Sequence, residues 1–354
     1  MIRVLIVDDS AVVRRVLSEA LSQEESIEVV GTAADPYAAR DKIAELRPDV
    51  LTLDIEMPRM DGLTFLQKLM THFPLPVIIV SSLTSKGSEL SMRALSLGAV
   101  EVVPKPGSQF SVPDVRRDLA RAIRSAALAR FPAPRASTTS LAALSAKAAA
   151  APAPLATTSK MLAIGSSTGG PRALEVVLGR LGANGPGTVI VQHMPEGFTR
   201  AFAERLNGLF PMQVREAQDG EMIVSGTVLI APGRHHLFVQ RSGAGYVARL
   251  REAPPVNHHR PSVDVMFHSV AKAAGANAVG VILTGMGRDG AEGLLAMRNA
   301  GAYTIAQDEQ SSVVYGMPRE AAALGAAVDI VPIENVARCV REHLSQPIPS
   351  SALG

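Results

Sequence analysis

Residues 161–170 read MLAIGSSTGG, and Pro171 then leads directly into the helical pattern RALEVVLGRL (172–181). A short apolar run, a turn of small and hydroxylic residues and an amphipathic stretch predict one strand-turn-helix unit. Proline suits the first helical position, where its missing N–H costs nothing. The fragment Gly165-Ser166-Ser167-Thr168-Gly169 also fits G-x-S-x-G, a strained turn that presents a nucleophilic serine. Two adjacent serines leave open which one is presented, and a simple Gly-rich turn has the same letters. The surroundings must separate these readings.

The same rhythm continues downstream: TVIVQH and FTRAFAERLNGLF, then AVGVILTG and AEGLLAMRNAG, then AYTIAQ. Such alternation predicts an α/β domain with a doubly wound, mainly parallel sheet. QVREAQDGEMIVSGTVLIAPGRHHLFVQRSG and GYVARLRE predict short strands and β-hairpins added to that sheet. Open α/β sheets bind ligands outside the carboxyl ends of their strands. There the three runs deliver Ser166 and Ser167, then His193, then Met286-Gly287-Arg288-Asp289-Gly290. This set suits a relay in which histidine takes the serine proton and the carboxylate orients the imidazole. An α/β-hydrolase would run Ser, Asp, His in chain order, so the order here disfavours that fold but not the chemistry.

His193 is the expected base because it alone among the histidines closes an apolar strand. His235-His236 and His258-His259 are sequence neighbours, which point apart in a strand and suit joint metal binding poorly. His268 falls in a helical stretch, as a packed or surface residue. Asp289 has a structural alternative as a turn residue or N-cap ahead of AEGLLAMRNA. The amides of Thr168 and Met286, beside glycines, are the candidate oxyanion donors.

Toward the N-terminus, IRVLIV, IEVVGTAA, VLTLDI, PVIIVSS and VEVVP alternate with five helical patterns. Five β-α units predict a second parallel sheet with helices on both faces. Its strand ends carry Asp8-Asp9, Asp54, Ser81-Ser82 and Lys105. Helix capping could account for any one aspartate, Asp9 above all, but not for all five features on one rim. Clustered carboxylates favour a hard cation such as Mg²⁺, beside which a central carboxylate can accept a phosphoryl group.

Between these regions residues 131–160 read FPAPRASTTSLAALSAKAAAAPAPLATTSK, a linker composition with too few large apolar residues to build a core. The 354 residues are 47% hydrophobic with a formal net charge of +2, which suits two globular domains and gives no electrostatic footprint for nucleic acid. No apolar run approaches the roughly 18 residues of a membrane span. The first apolar run meets two aspartates rather than a cleavage site, so a cytoplasmic, non-membrane-integral protein is expected. The single cysteine, Cys339, excludes internal disulfides and reads as a packed thiol.

Residues 2 to about 122, through VDDS, LDIEMPRMDG, VSSLTS and PKP, resemble a response-regulator receiver domain, a flavodoxin-like (βα)5 fold. The resemblance implies phosphorylation of Asp54 by a histidine kinase, with Asp8, Asp9 and Asp54 holding Mg²⁺. It also implies Ser81 as the switch hydroxyl and Lys105 as the phosphate partner. Val102 departs from the aromatic switch residue of many receivers. Residues 160 to about 345, through GSSTGG, QHMPEGFTRAFAERLN, IAPG, NHHRPSVDVMFHSVAK, VGVILTGMGRDGAEG, TIAQDE and YGMPREA, are similar to the catalytic domain of the chemotaxis protein-glutamate methylesterase (CheB) family. That implies Ser167 as nucleophile, His193 as base and Asp289 as its partner, with no cofactor for the esterase reaction. The implied substrates are glutamate methyl esters, and certain glutamines, on chemoreceptors. The family usually has Ala where this chain has Ser166. The expected division is receiver 1–122, linker 123–158 and catalytic domain 159–346.

Two rival functions remain. A transcription factor would need a basic recognition element, and no helical stretch of the second domain has a basic stripe. A catalytically dead adaptor conflicts with the intact serine, histidine and aspartate set.

Overall fold

Strands buried on both faces need near-continuous apolar sequence, and LIV in the first run and VIIV in the fourth supply it. The computed structural model describes residues 1–57, 61–107, 110–130 and 160–345. Residues 131–159, within the stretch expected to be a linker, residues 58–60 of LDIEMPRMDG and the expected domain end at 346 lie outside the described residues. The chain divides into two compact units, Met1–Phe131 and Pro132–Gly354.

In the first unit five strands, β1 (Ile2–Val7), β2 (Ile27–Ala33), β3 (Val50–Leu53), β4 (Val77–Ser81) and β5 (Glu101–Pro104), form a parallel sheet in the order β2-β1-β3-β4-β5. Helices α1 (Ala11–Leu21), α2 (Pro36–Leu46), α3 (Gly62–His72), α4 (Ser85–Leu97) and α5 (Val112–Ala126) alternate with them. The chain leaves β1 toward β2 on one side and enters β3 on the other, so β1/β3 is the switch point where such sheets place ligands. Helix α5 continues past the edge expected at residue 122, because Ile123 and Ala126 are fully buried against the sheet.

The second unit has a seven-stranded, wholly parallel sheet in the order β15-β14-β13-β6-β7-β10-β8. Its strands are β6 (Met161–Ser166), β7 (Gly187–Gln192), β8 (Gln213–Glu216), β10 (Thr227–Ile230), β13 (Ala278–Ile282), β14 (Tyr303–Gln307) and β15 (Asp329–Val331). The helices are α6 (Gly170–Leu181), α7 (Phe198–Leu209), α8 (Val263–Ala274), α9 (Ala291–Asn299), α10 (Met317–Ala323) and α11 (Ile333–Ser345). Strand order reverses between β6 and β13, which puts the switch point directly beside the serine turn.

One expectation is corrected here. Of the strands expected to be added to the main sheet, β8 and β10 do extend it, at its β7 side. Strands β9 (Glu221–Ile223), β11 (His236–Ser242) and β12 (Gly245–Arg251) instead form a separate antiparallel sheet, β11-β12-β9. Leu237, Val239 and Ala248 are buried in one cluster with Val263, Met266, Phe267 and Val270 of α8. The Ser269 hydroxyl accepts a 2.8 Å hydrogen bond from the Val239 amide. Burial against a helix, rather than edge pairing, decides where these strands go. Among the described residues no helix is long and apolar enough to cross a membrane.

Candidate active site

The two serines of the turn face different surroundings. Ser166 is the last residue of β6, fully buried, and its hydroxyl donates to Gln192 Oε1 at 2.7 Å. Ser167 has left the strand; its amide donates to the Thr284 carbonyl (3.0 Å), and its carbonyl accepts from Gly170 (2.7 Å) as α6 begins. A Cβ on Gly170 would run into Gln192 Oε1 and the Ser166 side chain, so only glycine closes this turn. Gln192 Nε2 in turn donates to the carbonyls of Ser167 (2.9 Å) and His193 (3.0 Å). Sequence reasoning passed over Gln192, although a lone amide ending the apolar run TVIV was the signal.

His193 follows β7 directly, and its amide donates to the Ser166 carbonyl at 3.0 Å. Its Nε2 lies 2.8 Å from Asp289 Oδ2. A carboxylate only accepts, so Nε2 carries a proton, and in the neutral ring Nδ1 then holds the lone pair. Among the described residues Nδ1, also buried, has no hydrogen-bond partner, Ser167 Oγ included. Asp289 and His193 are therefore assembled as a pair, while the serine hydroxyl and imidazole are not yet joined. Such bonds often tighten only when substrate is bound.

Asp289 does not cap the helix that follows it. The N-cap of α9 is Gly290, with no side-chain cap. The carboxylate reaches instead to the start of α8. There it accepts from the Ser262 hydroxyl (2.7 Å) and the amides of Val263 (2.7 Å) and Asp264 (3.2 Å), and also from Asn257 Nδ2 (2.9 Å). Burial alone would raise its pKa, but the bonds from His193, Asn257 and Ser262 outweigh that and hold it well below the usual carboxylate range. The helix N-terminus adds favourable partial positive charge. Asp264 is the contrasting neighbour: burial raises its pKa, although it accepts from the Gly293 amide at 2.6 Å.

The oxyanion candidates flank the serine. Thr168 follows it and is buried; its carbonyl accepts from Thr284 Oγ1 at 3.0 Å. Met286 follows Gly285, where a Cβ would stand 2.6 Å from the Ser167 Cβ, so that backbone passes directly against the nucleophile candidate. The rival histidines separate. His236 is buried, with Nε2 3.0 Å from the Pro254 carbonyl and Nδ1 accepting from the Ser262 amide at 3.2 Å. His258 and His268 are exposed. His235 Nδ1 sits 3.4 Å from the Gly233 carbonyl. His259 lies against His193. Cys339 is buried, and burial pushes its thiol up, as a packed thiol requires.

The first unit has its own polar rim. Ligand oxygens of Asp8, Asp9 and Asp54 all lie within 4.8 Å of one another. Lys105 Nζ stands 2.8 Å from both Asp8 Oδ2 and Asp54 Oδ2. Burial works against the charge on Lys105, but the carboxylates of Asp54 and Asp8 prevail and raise its pKa. Burial raises Asp8 as well, against the pull of Lys105. Asp9 does not cap α1, whose N-cap is Ser10. A set of three clustered carboxylates fits a hard divalent cation that takes oxygen ligands. Ser81 Oγ is buried and donates to the Gly87 carbonyl at 3.2 Å, and Val102 is buried in β5.

Residues 162–340 match the family model for CheB methylesterase, and residues 4–113 match that for the response regulator receiver domain. The chain is 54% identical over 346 residues to a protein-glutamate methylesterase/protein-glutamine glutaminase of Syntrophus aciditrophicus, covering 95% of this chain and 97% of that one. It is 53% identical over 348 residues to a protein of the same name from Salmonella typhi, covering 97% of each. The CheB methylesterase catalytic domain of Thermotoga maritima is structurally similar, with TM-score 0.51 and 38% identity over 52% of this chain and 97% of that one.

Proposed function

The chain belongs to the CheB methylesterase family, and from that premise we propose that it is a phosphorylation-regulated serine hydrolase acting on glutamate methyl esters of chemoreceptors. Certain receptor glutamines are its second substrate, deamidated by the same acyl chemistry. The single observation carrying this reading is the buried Asp289–His193 pair at the β6/β13 switch point, next to the Ser167 turn. The receiver runs from residue 1 through the end of α5 at Ala126, a little beyond the edge at 122 read from the sequence, and is followed by the linker and by a catalytic domain over 159–346. The protein works in the cytoplasm and needs no nucleic acid.

Ser167 Oγ attacks the ester carbonyl while its proton passes to His193 Nδ1, the nitrogen with the available lone pair. Asp289 stabilises the imidazolium through Nε2. The amides of Thr168 and Met286 take the tetrahedral oxyanion. Collapse breaks the carbon–methoxy bond, and Nδ1 returns the proton to the departing methanol. A water then attacks the glutamyl-enzyme and loses a proton to Nδ1. The carbon–Oγ bond breaks as Nδ1 passes that proton to Oγ, which restores Ser167 and releases the side chain as a carboxylic acid that ionises to glutamate. With glutamine, ammonia leaves in place of methanol. The test is methanol release from membranes carrying methylated receptors, compared between the wild type and Ser167→Ala.

Regulation rests on the first unit. Asp8, Asp9 and Asp54 would hold Mg²⁺, which shields the charge of an incoming phosphoryl group. Asp54 is the acceptor for a histidine kinase, Lys105 pairs with the new charge, and Ser81 turns from Gly87 toward it. A small phosphoryl donor with Mg²⁺ is expected to raise methanol release in the wild type and leave Asp54→Asn at its basal rate. Equal stimulation of both proteins would remove Asp54 from the role.

Gly285 gives a further test. An alanine there crowds Ser167 and the Met317 sulfur together. Overpacking of this kind costs about 1–3 kcal/mol, and a nucleophile displaced by about 1 Å loses on the order of 100-fold in rate. Gly285→Ala is expected to lower both the melting temperature and kcat, with KM little changed. Wild-type kcat would place this backbone outside the catalytic geometry.

A further inference from the structure

The imidazole of His193 is held by one hydrogen bond, from Nε2 to Asp289. One bond fixes a pivot and leaves the ring free to rock about it. Nδ1, the proton-accepting nitrogen, has no partner to stop that motion among the described residues. What faces the ring is His259: the two imidazoles are parallel within 6°, with centroids 3.6 Å apart. A flat ring at van der Waals distance blocks rocking on that face.

His259 is itself delivered by a tight two-residue hairpin. The Val256 amide donates to the His259 carbonyl at 3.0 Å, and the His259 amide to the Val256 carbonyl at 2.9 Å. Asn257 and His258, between them, both have positive φ, +52° and +67°, as a turn with two left-handed central residues requires. Asparagine tolerates that conformation well. Its side chain is not idle: Nδ2 donates to Asp264 Oδ2 at 2.6 Å and to Asp289 Oδ1 at 2.9 Å. One four-residue turn thus touches both members of the acid–base pair, Asn257 on the carboxylate and His259 on the imidazole face.

We propose that the turn 256–259 is a clamp on the Asp289–His193 pair, and that His259 is the positioning residue that fixes the plane of the His193 ring so that Nδ1 keeps one direction. The proposal rests on the hydrolase reading above, in which His193 moves the proton. It assigns His259 no contact with the reacting atoms. Its effect should therefore fall on kcat, because a misaligned base slows proton transfer without weakening substrate binding.

The experiment uses the full-length chain with His259→Ala and His259→Phe, the second keeping a flat ring whose face also suits an imidazolium. Methanol release gives kcat and KM, and long-range ¹H–¹⁵N spectra report the His193 tautomer. His259→Ala is expected to lose about 10- to 100-fold in kcat with KM within about twofold, and to blur the single Nε2–H tautomer of His193. His259→Phe is expected to recover most of the rate and the sharp tautomer signal. Thermal melting identifies a variant that does not fold; the spectra of His259→Phe then still decide, since that ring preserves the packing. Wild-type kcat and an unchanged His193 spectrum in His259→Ala would overturn the proposal, as would a folded His259→Phe no better than the alanine protein. Ser167→Ala and His193→Ala run alongside. If both kept full release, the hydrolase reading would fail, while the His193 spectra would still report on the stack.

Discussion

Ser167→Ala is expected to lower methanol release by about 10⁴-fold or more, since removing the nucleophile of a serine relay costs about as much as removing the whole relay. Ser166 and Thr168 are the adjacent hydroxyls in sequence, and the Ser166 Oγ is engaged in donating to Gln192 Oε1 inside the domain. Ser166→Ala therefore serves as the matched control. It should keep release within a few-fold of the wild type, a change of roughly 1 kcal/mol or less, and lose about 1–3 kcal/mol of stability, because Gln192 Oε1 is left buried without that donor. Methanol assays and melting curves on the two variants separate the roles. If the losses were reversed, with Ser166→Ala inactive and Ser167→Ala active, the nucleophile assignment would be wrong.

Asp289→Asn should cost about 10³- to 10⁴-fold in kcat, the scale seen when a relay aspartate becomes an amide and the imidazole settles in the wrong tautomer. The site makes this substitution unusually damaging. Five donors converge on the carboxylate, from His193, Asn257, Ser262, Val263 and Asp264. An amide turns one acceptor oxygen into a donor that faces other donors. Stability should fall as well, and with a defined pH dependence. The folded pKa of Asp289 lies below the ordinary carboxylate value near 3.9. Between those two values the unfolded chain binds a proton that the folded chain does not, so stability rises with pH through that window. The gap between wild type and Asp289→Asn should be fully present above about pH 4 and shrink as the pH falls further. A gap that widened in acid would contradict the depressed pKa.

Both folds were readable because parallel strands buried on two faces have to be apolar, and their helices have to be amphipathic. MLAIG with its Pro171-led helix, and IRVLIV ending in Asp8-Asp9, carry that signal in adjacent residues. The seven-stranded sheet is wholly parallel, as the alternation suggested. Strands β8 and β10 joined the main sheet as expected, whereas β9, β11 and β12 did not, for a matching reason. Alternation within β11 and β12 reveals that one face is buried, not what buries it, and the answer is α8 rather than the edge of the main sheet.

For the candidate site, the sequence by itself determined which residue types end the apolar strands: two serines, a histidine, an aspartate after a glycine-rich loop, and a second rim of aspartates with a lysine. Those positions follow from local periodicity, because a strand's end is where a polar side chain first escapes the core. The tertiary structure alone decided how they are held. Asp289 turned from the helix after it to the N-terminus of a helix earlier in the chain, Gln192 tied the serine turn to His193, and a four-residue hairpin laid His259 on the catalytic imidazole candidate. These are contacts between segments tens of residues apart. They depend on strand order and on a turn with two left-handed residues, and no local pattern of apolar and polar residues encodes either one.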